Sequence, residues 1–389
     1  MLKRLRTTFI LCFFALTKPL YAAANAWQMN MPKGVTPLSR DIYDLHMIAI
    51  YICAGIGVIV FGVMFYALFK HRKSTGHQAA IFHENVKLEI LWTIIPFLIL
   101  VGLAIPATKL LMRMDDNSNA DLTIKIVGYQ WKWQYTYLEQ NVSFFSNLST
   151  PYQEIENKAA KNEWYLLEVD NPIVVPTHKK IRFLVTSNDV VHSWWVPDLG
   201  VKRDAIPGFM HEAWTKIEKP GIYRGQCAEL CGVNHGFMPI VVKAVPENEY
   251  QQWLLSMQQH HTEKSKKLTR HALMKLGHQK YREVCSACHR PDGKGIPPLY
   301  PALKGSSVAV GHPISRHIDI ILYGIPGSAM QPYHEHLSDE EIAAIVTYER
   351  NAWNNNTDDI VQPEDVAQVR QAHQQQPTLV EKVKTGGLR

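Results

Sequence analysis

Apolar residues along this chain are gathered into two long runs and a series of short ones. Residues 47–69 carry no charge, and residues 90–111 are broken only by Lys109 near their end. Each run has roughly the 20 residues a helix needs to cross a bilayer. Between them lie Lys70, Arg72, Lys73 and Lys87 against Glu84 and Glu89, and Asp115 and Asp116 come after the second run. Basic residues stay on the cytoplasmic side, so both ends of the hairpin point outward. At the N-terminus Lys3, Arg4 and Arg6 precede apolar residues 9–16, and Ala22, Ala23, Ala24 and Ala26 offer small-residue cleavage sites. This is the pattern of a secretory signal peptide, residues 1–24, which exports the chain behind it. A short membrane anchor is the alternative, and Lys18-Pro19 interrupts it. Residues 25–112 are then an N-terminal segment and a two-helix hairpin.

After Asp121 the apolar period drops to two. Leu122, Ile124 and Ile126 alternate with Thr123, Lys125 and Val127; Ile181, Phe183 and Val185 repeat the pattern; Ile240-Val241-Val242 is a short buried-type run. Pro172, Pro176, Pro197, Gly200, Pro207, Pro220 and Gly221 punctuate these segments. Short strands with turn signals predict an antiparallel β sandwich or barrel over residues 113–246, the sandwich being favoured. Polar residues 141–162 predict a long surface loop inside it. Residues 247–271 are charged and predict a helical or flexible linker. Residues 272–354 return to helical spacing: Ser338 and Glu341 form a capping box before Ile342, Ile345, Val346 and Tyr348. Residues 355–389, rich in Gln, Lys and Asp with Pro363 and Pro377, predict a disordered tail. The architecture expected is multi-domain: two transmembrane helices, a β sandwich and an all-α domain.

Charge narrows the partners. The chain of 389 residues has a net charge of +6, and residues 115–245 hold 13 Lys+Arg against 15 Asp+Glu. No basic patch in that region calls for nucleic acid. Of six cysteines, Cys12 and Cys53 sit in apolar runs as small hydrophobes. The other four form two close pairs.

The first pair lies in Cys227-Ala-Glu229-Leu-Cys231-Gly-Val-Asn-His235-Gly-Phe-Met238, with His192 upstream. Two thiolates, an imidazole and a thioether on one loop make a soft donor set suited to copper electron transfer. Cysteines four apart can both bridge a pair of ions, with His192 and His235 as terminal ligands and Met238 and the Glu229 carbonyl as weak axial ones. A disulfide and a tetrahedral zinc site compete with that reading. The second pair is Cys285-Ser-Ala-Cys288-His289, the attachment signature of a c-type haem. The thiols would form thioethers, and His289 would reach the iron. Met330, in Gly327-Ser-Ala-Met330-Gln-Pro332, is the favoured sixth ligand, with His312, His317, His334 and His336 as rivals. A His/Met pair raises the potential.

The stretch Gln226 to Pro239 resembles, ligand for ligand, the binuclear copper (CuA) loop of cytochrome c oxidase subunit II. His192-Ser-Trp-Trp-Val-Pro197, Lys202-Arg-Asp204-Ala-Ile-Pro-Gly208 and Gly128-Tyr-Gln-Trp131-Lys-Trp133 are similar to neighbouring segments of that family. The likeness covers about residues 30–246; the haem part resembles class I cytochromes c, making the whole like a caa-type oxidase subunit. The resemblance implies a cupredoxin-like sandwich and Trp131 at the surface that receives electrons. It implies a Glu229 side chain turned toward a magnesium shared with the catalytic subunit. Glu89-Ile-Leu-Trp92-Thr-Ile-Ile-Pro96 is similar to the start of the family's second span, where the glutamate lies at the mouth of a proton-uptake path; a helix-stabilising carboxylate is the local alternative. Implied partners are the haem-copper subunit I, subunit III, an upstream reductase or soluble cytochrome c, and the lipid bilayer of a bacterial inner membrane, with both metal domains periplasmic. A quinol oxidase subunit would lack the copper ligands, and a nitrous oxide reductase would not suit the order of segments. A copper carrier with an appended cytochrome is the non-enzymatic alternative.

Overall fold

The computed structural model describes residues 29–76, 78, 83–140, 142–259, 267–325, 328–334 and 337–374. The expected signal peptide with Cys12, the rival ligand His336 and the tail beyond residue 374 lie outside them. The chain divides into two units, residues 1–33 and 34–389. In the first, the Met31 N–H donates to Asn30 Oδ1 at 2.8 Å. The second holds the two long helices, the sandwich and the C-terminal helices.

The long helices, Pro37–Lys70 and Val86–Met114, contain the apolar runs, and an 18-residue stretch of each has a mean hydropathy of 2.6 and 2.4 respectively. Both start earlier than the apolar runs because capping extends them. Thr36 caps the first, exchanging hydrogen bonds with Ser39 ahead of Pro37, and Asn85 caps the second through the Leu88 N–H. Their outer ends are fastened to the β domain. Arg40 pairs with Glu218 at 2.8 Å, the Trp214 indole donates to the Arg113 carbonyl at 2.9 Å, and Thr36 Oγ1 donates to the Leu199 carbonyl at 3.0 Å.

That domain has ten strands: β1 Leu122–Tyr129, β2 Lys132–Tyr137, β3 Val142–Ser146, β4 Ile173–Pro176, β5 Ile181–Ser187, β6 His192–Val196, β7 Val201–Ala205, β8 His211–Thr215, β9 Gly221–Cys227 and β10 Pro239–Val245. They form two five-stranded sheets, β3-β2-β1-β5-β8 and β4-β10-β9-β6-β7. The alternating residues do face a shared core: Ile124, Ile126, Ile181, Phe183 and Val185 are fully buried. Not every pairing is antiparallel, however. β1 runs parallel to β5, and β10 to β4. Period-two alternation fixes which face is buried and says nothing of strand direction.

Two sequence expectations need correction. Residues 141–162 are not one surface loop. Val142, Phe144 and Phe145 are buried on β3, and a short helix, Tyr152–Ile155, comes after it. The polar neighbours masked a five-residue strand whose Val142 and Phe144 join the sandwich core while Phe145 packs with residues from the C-terminal region. Nor is the chain structureless after residue 354. Helix Pro363–Gln374 buries Val366, Val361 is buried ahead of it, and Asp359 accepts from the buried Arg350 guanidinium at 2.9 Å. Composition hid a helix whose two valines, Val366 and Val369, lie on its packed side.

Helix Glu247–Gln259 leaves the sandwich with Tyr250 and Leu254 buried. The C-terminal region is built on helices Arg270–Lys280, Ile314–Tyr323 and Asp339–Asn351. The capping box is present: Ser338 accepts from the Glu341 N–H, and Glu341 from the Ser338 N–H. A Cβ on Gly277 would lie 2.0 Å from the Ala344 carbonyl oxygen, so a glycine is what lets the first and last of these helices meet backbone to backbone.

Candidate metal centres

β9 ends on Cys227, β10 begins at Pro239, and the loop between them carries the remaining donors. β6 pairs with β9, Trp194 opposite Cys227, and the Ala228 N–H donates to the Ser193 carbonyl at 3.0 Å, so His192 is brought beside the loop. A Cβ on Gly128 would lie 2.8 Å from the His192 ring, so β1 can pass over the imidazole only with glycine there.

Cys227 Sγ and Cys231 Sγ lie 3.9 Å apart. His192 Nδ1 lies 3.9 Å from Cys227 Sγ on one flank; His235 Nδ1 lies 3.4 Å from Cys231 Sγ on the other. Met238 Sδ is 3.5 Å from Cys231 Sγ, and the Glu229 carbonyl is 3.4 Å from Cys227 Sγ. All six expected donors thus converge. The sulfur separation is nearly twice a disulfide bond of about 2.05 Å. The donors form two sets sharing a sulfur pair, which suits two soft ions bridged by thiolates better than one tetrahedral zinc. The hydrogen bond from Cys231 pulls the Cys227 thiol down against the opposing effect of burial, while Cys231, which gives that bond, is pushed up. Two sulfurs held this close favour one shared proton, or cations in its place.

The surroundings fix these ligands. His192 Nε2 is 2.9 Å from Asp189 Oδ1, which leaves Nδ1 for a metal. Burial pulls His192 down, but its bonds to Asp189 and Cys227 outweigh that and leave it raised. Trp131 and Gln130 both donate to the Cys231 carbonyl, at 3.1 and 2.8 Å, and the Trp133 indole donates to the Met238 carbonyl at 3.2 Å. The sequence reading missed Asp189 and Gln130. Asp189, three residues before His192 in an Asn-Asp turn, was the available signal.

Cys285, Cys288, His289 and Met330 line one cavity of about 1070 Å³. His289 Nδ1 bonds the Pro301 carbonyl at 2.9 Å, which leaves Nε2 for an iron. Burial pushes the Cys285 thiol well up and Cys288 to about 11. The Met330 N–H donates to Ser328 Oγ at 3.1 Å, and its carbonyl accepts from Ile325 at 2.9 Å, holding the segment against the cavity. Of the rivals, His317 also lines the cavity; its Nε2 is 2.7 Å from Glu349 Oε2, and its buried Nδ1 has no hydrogen-bond partner, so it stays a rival to Met330. His334 Nδ1 lies 3.3 Å from the Leu322 carbonyl. The donor set and the space fit a covalently held haem.

The two centres adjoin. Asn234, in the copper-type loop, donates to the carbonyl of Ala287, between the two haem-motif cysteines, at 3.2 Å. The Tyr300 hydroxyl donates to Gln130 Oε1 at 3.3 Å, and its ring meets Trp131 edge-on with centroids 5.9 Å apart. Trp131 is therefore not on an open surface: it is 4% exposed, because the C-terminal region covers it. Glu229 is exposed on the loop. Glu89 stands apart from both centres, exposed in the first turn of helix Val86–Met114.

Three segments match known sequence families. Residues 24–110 match the cytochrome c oxidase subunit II transmembrane domain and residues 122–245 its periplasmic domain. Residues 272–348 match subunit III of cbb3-type cytochrome c oxidase. A probable cytochrome c oxidase subunit 2 of Rickettsia bellii is 39% identical over 230 residues, which cover 59% of this chain and 84% of that one. Cytochrome c oxidase subunit 2 of Cyanidium caldarium is 40% identical over 242 residues, 61% and 93% of the two chains. The crystal structure of the periplasmic domain of cytochrome oxidase subunit II from Bradyrhizobium japonicum is 42% identical, covers 36% of this chain and 96% of that one, and has a TM-score of 0.33.

Proposed function

This chain belongs to the cytochrome c oxidase subunit II family and carries a cytochrome c domain after its sandwich, and from that premise we propose that it delivers electrons from a covalent haem c, by way of a binuclear copper centre, to the oxygen-reducing subunit of a terminal oxidase. The observation that carries this reading is the direct packing of the haem motif on the copper loop, Asn234 on Ala287 and Trp131 on Tyr300.

The residues divide the work. Cys227, Cys231, His192, His235, Met238 and the Glu229 carbonyl would hold the copper. Bound copper supplies one-electron redox chemistry shared over two ions. Asp189 fixes the His192 ring, and Gln130 and Trp131 fix the Cys231 carbonyl, so the ligands are placed before any ion binds. Cys285 and Cys288 would hold the haem, and His289 and Met330 would ligate its iron. Trp131 would receive electrons from the attached haem and not from a soluble partner, since Tyr300 occupies its outer side.

The exposed Glu229 side chain would meet a magnesium at the subunit I boundary. Glu89, roughly 36 Å along its helix from Arg113, would serve proton uptake on the other side of the bilayer. The setting is a bacterial inner membrane with both metal domains periplasmic, subunits I and III as partners and a reductase or soluble cytochrome c upstream.

Metal and haem analysis of the purified complex, with oxygen consumption, tests the assignment. Cys227→Ser or Cys231→Ser should remove the copper and stop turnover while covalent haem remains. Full copper content and turnover after either change would sink it.

A further inference from the structure

β2 lies second in its sheet, and its residues alternate between two faces. Trp133, Tyr135 and Tyr137 are fully buried in the sandwich. Lys132 belongs to the outer face, which in a lone sandwich would be solvated. Here Lys132 is only 4% exposed and lines the cavity that holds Cys285 and Cys288. Its Nζ donates to the Tyr333 hydroxyl at 2.6 Å and lies 4.6 and 4.5 Å from the ring centroids of Phe145 and Tyr333. The Gln331 amide donates to the same hydroxyl at 2.9 Å. Tyr333 lies three residues beyond Met330, and its N–H donates to the Leu322 carbonyl at 3.0 Å. Phe145, from the copper domain, packs in one cluster with Ile318, Leu322 and Ile342 of the cytochrome domain.

A buried ammonium whose hydrogen-bond partner is a neutral phenol is costly, and most folds place a carboxylate there. Asp170 lines the same cavity, but its carboxylate accepts from Asn147 N and Nδ2 at 2.7 and 2.9 Å. Arg282 and Arg290 also line the cavity but are exposed, whereas the buried charge of Lys132 would be compensated by an electron arriving beside it. We propose that Lys132 is a positioning residue that the copper domain inserts into the haem cavity: it hydrogen-bonds Tyr333, and its charge raises the reduction potential of haem c. The proposal rests on the reading of this cavity as a haem c site.

The test uses the full complex with Lys132→Met and Lys132→Arg. Covalent haem is read on a denaturing gel, copper by metal analysis, and the haem c potential by a spectrophotometric redox titration. Lys132→Met should keep haem and copper, and its haem c should be harder to reduce by about tenfold in equilibrium, which for a one-electron couple is about 59 mV. Lys132→Arg, which keeps the charge, should recover most of that. A potential unchanged in Lys132→Met overturns the proposal. Absence of covalent haem from the unaltered chain would instead overturn the reading of the cavity. If Lys132→Met does not assemble, Lys132→Gln, polar and neutral, takes its place with the same expected fall and the same overturning result.

Discussion

Asp189 is the side chain that holds the proposed copper ligands in place without being one of them. It accepts from His192 Nε2 at 2.9 Å and, through its other oxygen, from the Gln130 N–H at 2.7 Å. One carboxylate thus orients a terminal ligand and the strand turn that carries Trp131. Outer-shell partners of this kind typically contribute 10–100-fold in metal affinity. Asp189→Ala should weaken copper binding by about that factor while covalent haem persists, and equilibrium copper competition against a chelator measures it. Copper affinity within twofold of the unaltered chain would mean that packing alone orients His192. Lys132 yields a pH prediction at the same scale. Burial pushes its pKa from 10.5 to about 8. The groups facing it are Asp170 and Asp189 from the copper domain and Cys285, Cys288 and Tyr333 from the cytochrome domain. An unfolded chain keeps the lysine proton up to about pH 10.5, so between pH 8 and 10.5 the unfolded state binds more protons and stability rises with pH. The cost of the buried charge, on the order of 3 kcal/mol, is full below pH 8. Lys132→Met should therefore raise the unfolding temperature at pH 7, and the difference should shrink by pH 10. A lower unfolding temperature for the variant at pH 7 would show that the lysine stabilises the fold outright.

At the scale of elements, the helix Pro363–Gln374 is part of the cytochrome domain. Arg350 is fully buried and satisfied by Asp359 and by the carbonyls of Ala309 and Gly311, at 2.9 and 3.0 Å. Thr347 Oγ1 accepts from the Val361 N–H at 3.0 Å. Asp359→Ala leaves a buried guanidinium without its carboxylate, a change that typically costs about 3–5 kcal/mol. The haem-linked unfolding transition should drop by several degrees, read by thermal loss of the haem absorption band; an unshifted transition would make this segment dispensable. What the sequence revealed and what it hid obey one rule. Long apolar runs, two-residue alternation, the Ser338 capping box and the Cys-Ser-Ala-Cys-His motif are local patterns, and each was legible. β3 and the last helix were not, because five residues of strand and a handful of apolar positions gain meaning only from what they pack against. Direction failed similarly: β1 beside β5 in parallel is a tertiary choice. The copper donors could be named from spacing and family resemblance, while Asp189, Tyr300 and Lys132 act through contacts spanning up to 201 residues of sequence.

At the scale of the whole molecule, the fused domain would change how electrons reach the copper along the proposed route. A soluble cytochrome must find its docking surface by diffusion, and exposed charges steering it are screened with a Debye length of about 10 Å at 0.1 M salt. In this chain the docking is intramolecular. The contacts joining the two domains near the centres are hydrogen bonds and ring packing: Asn234 to Ala287, Tyr300 to Gln130, Trp131 against Tyr300, and Lys132 on Tyr333. The Asn234 bond is exposed, but the Trp131, Tyr300 and Lys132 contacts are buried or partly buried, and such contacts are screened far less than exposed ion pairs. Electron transfer from haem c to copper, measured after rapid photoreduction of the purified complex, should therefore keep its rate within about twofold between low and physiological salt. Reduction of haem c by an external donor has to pass through solvent and should respond to salt in the usual way. A steep fall of the internal rate with salt would mean that the cytochrome domain leaves Trp131 and docks anew for each electron, and the contacts at Tyr300 and Asn234 would then describe one state among several.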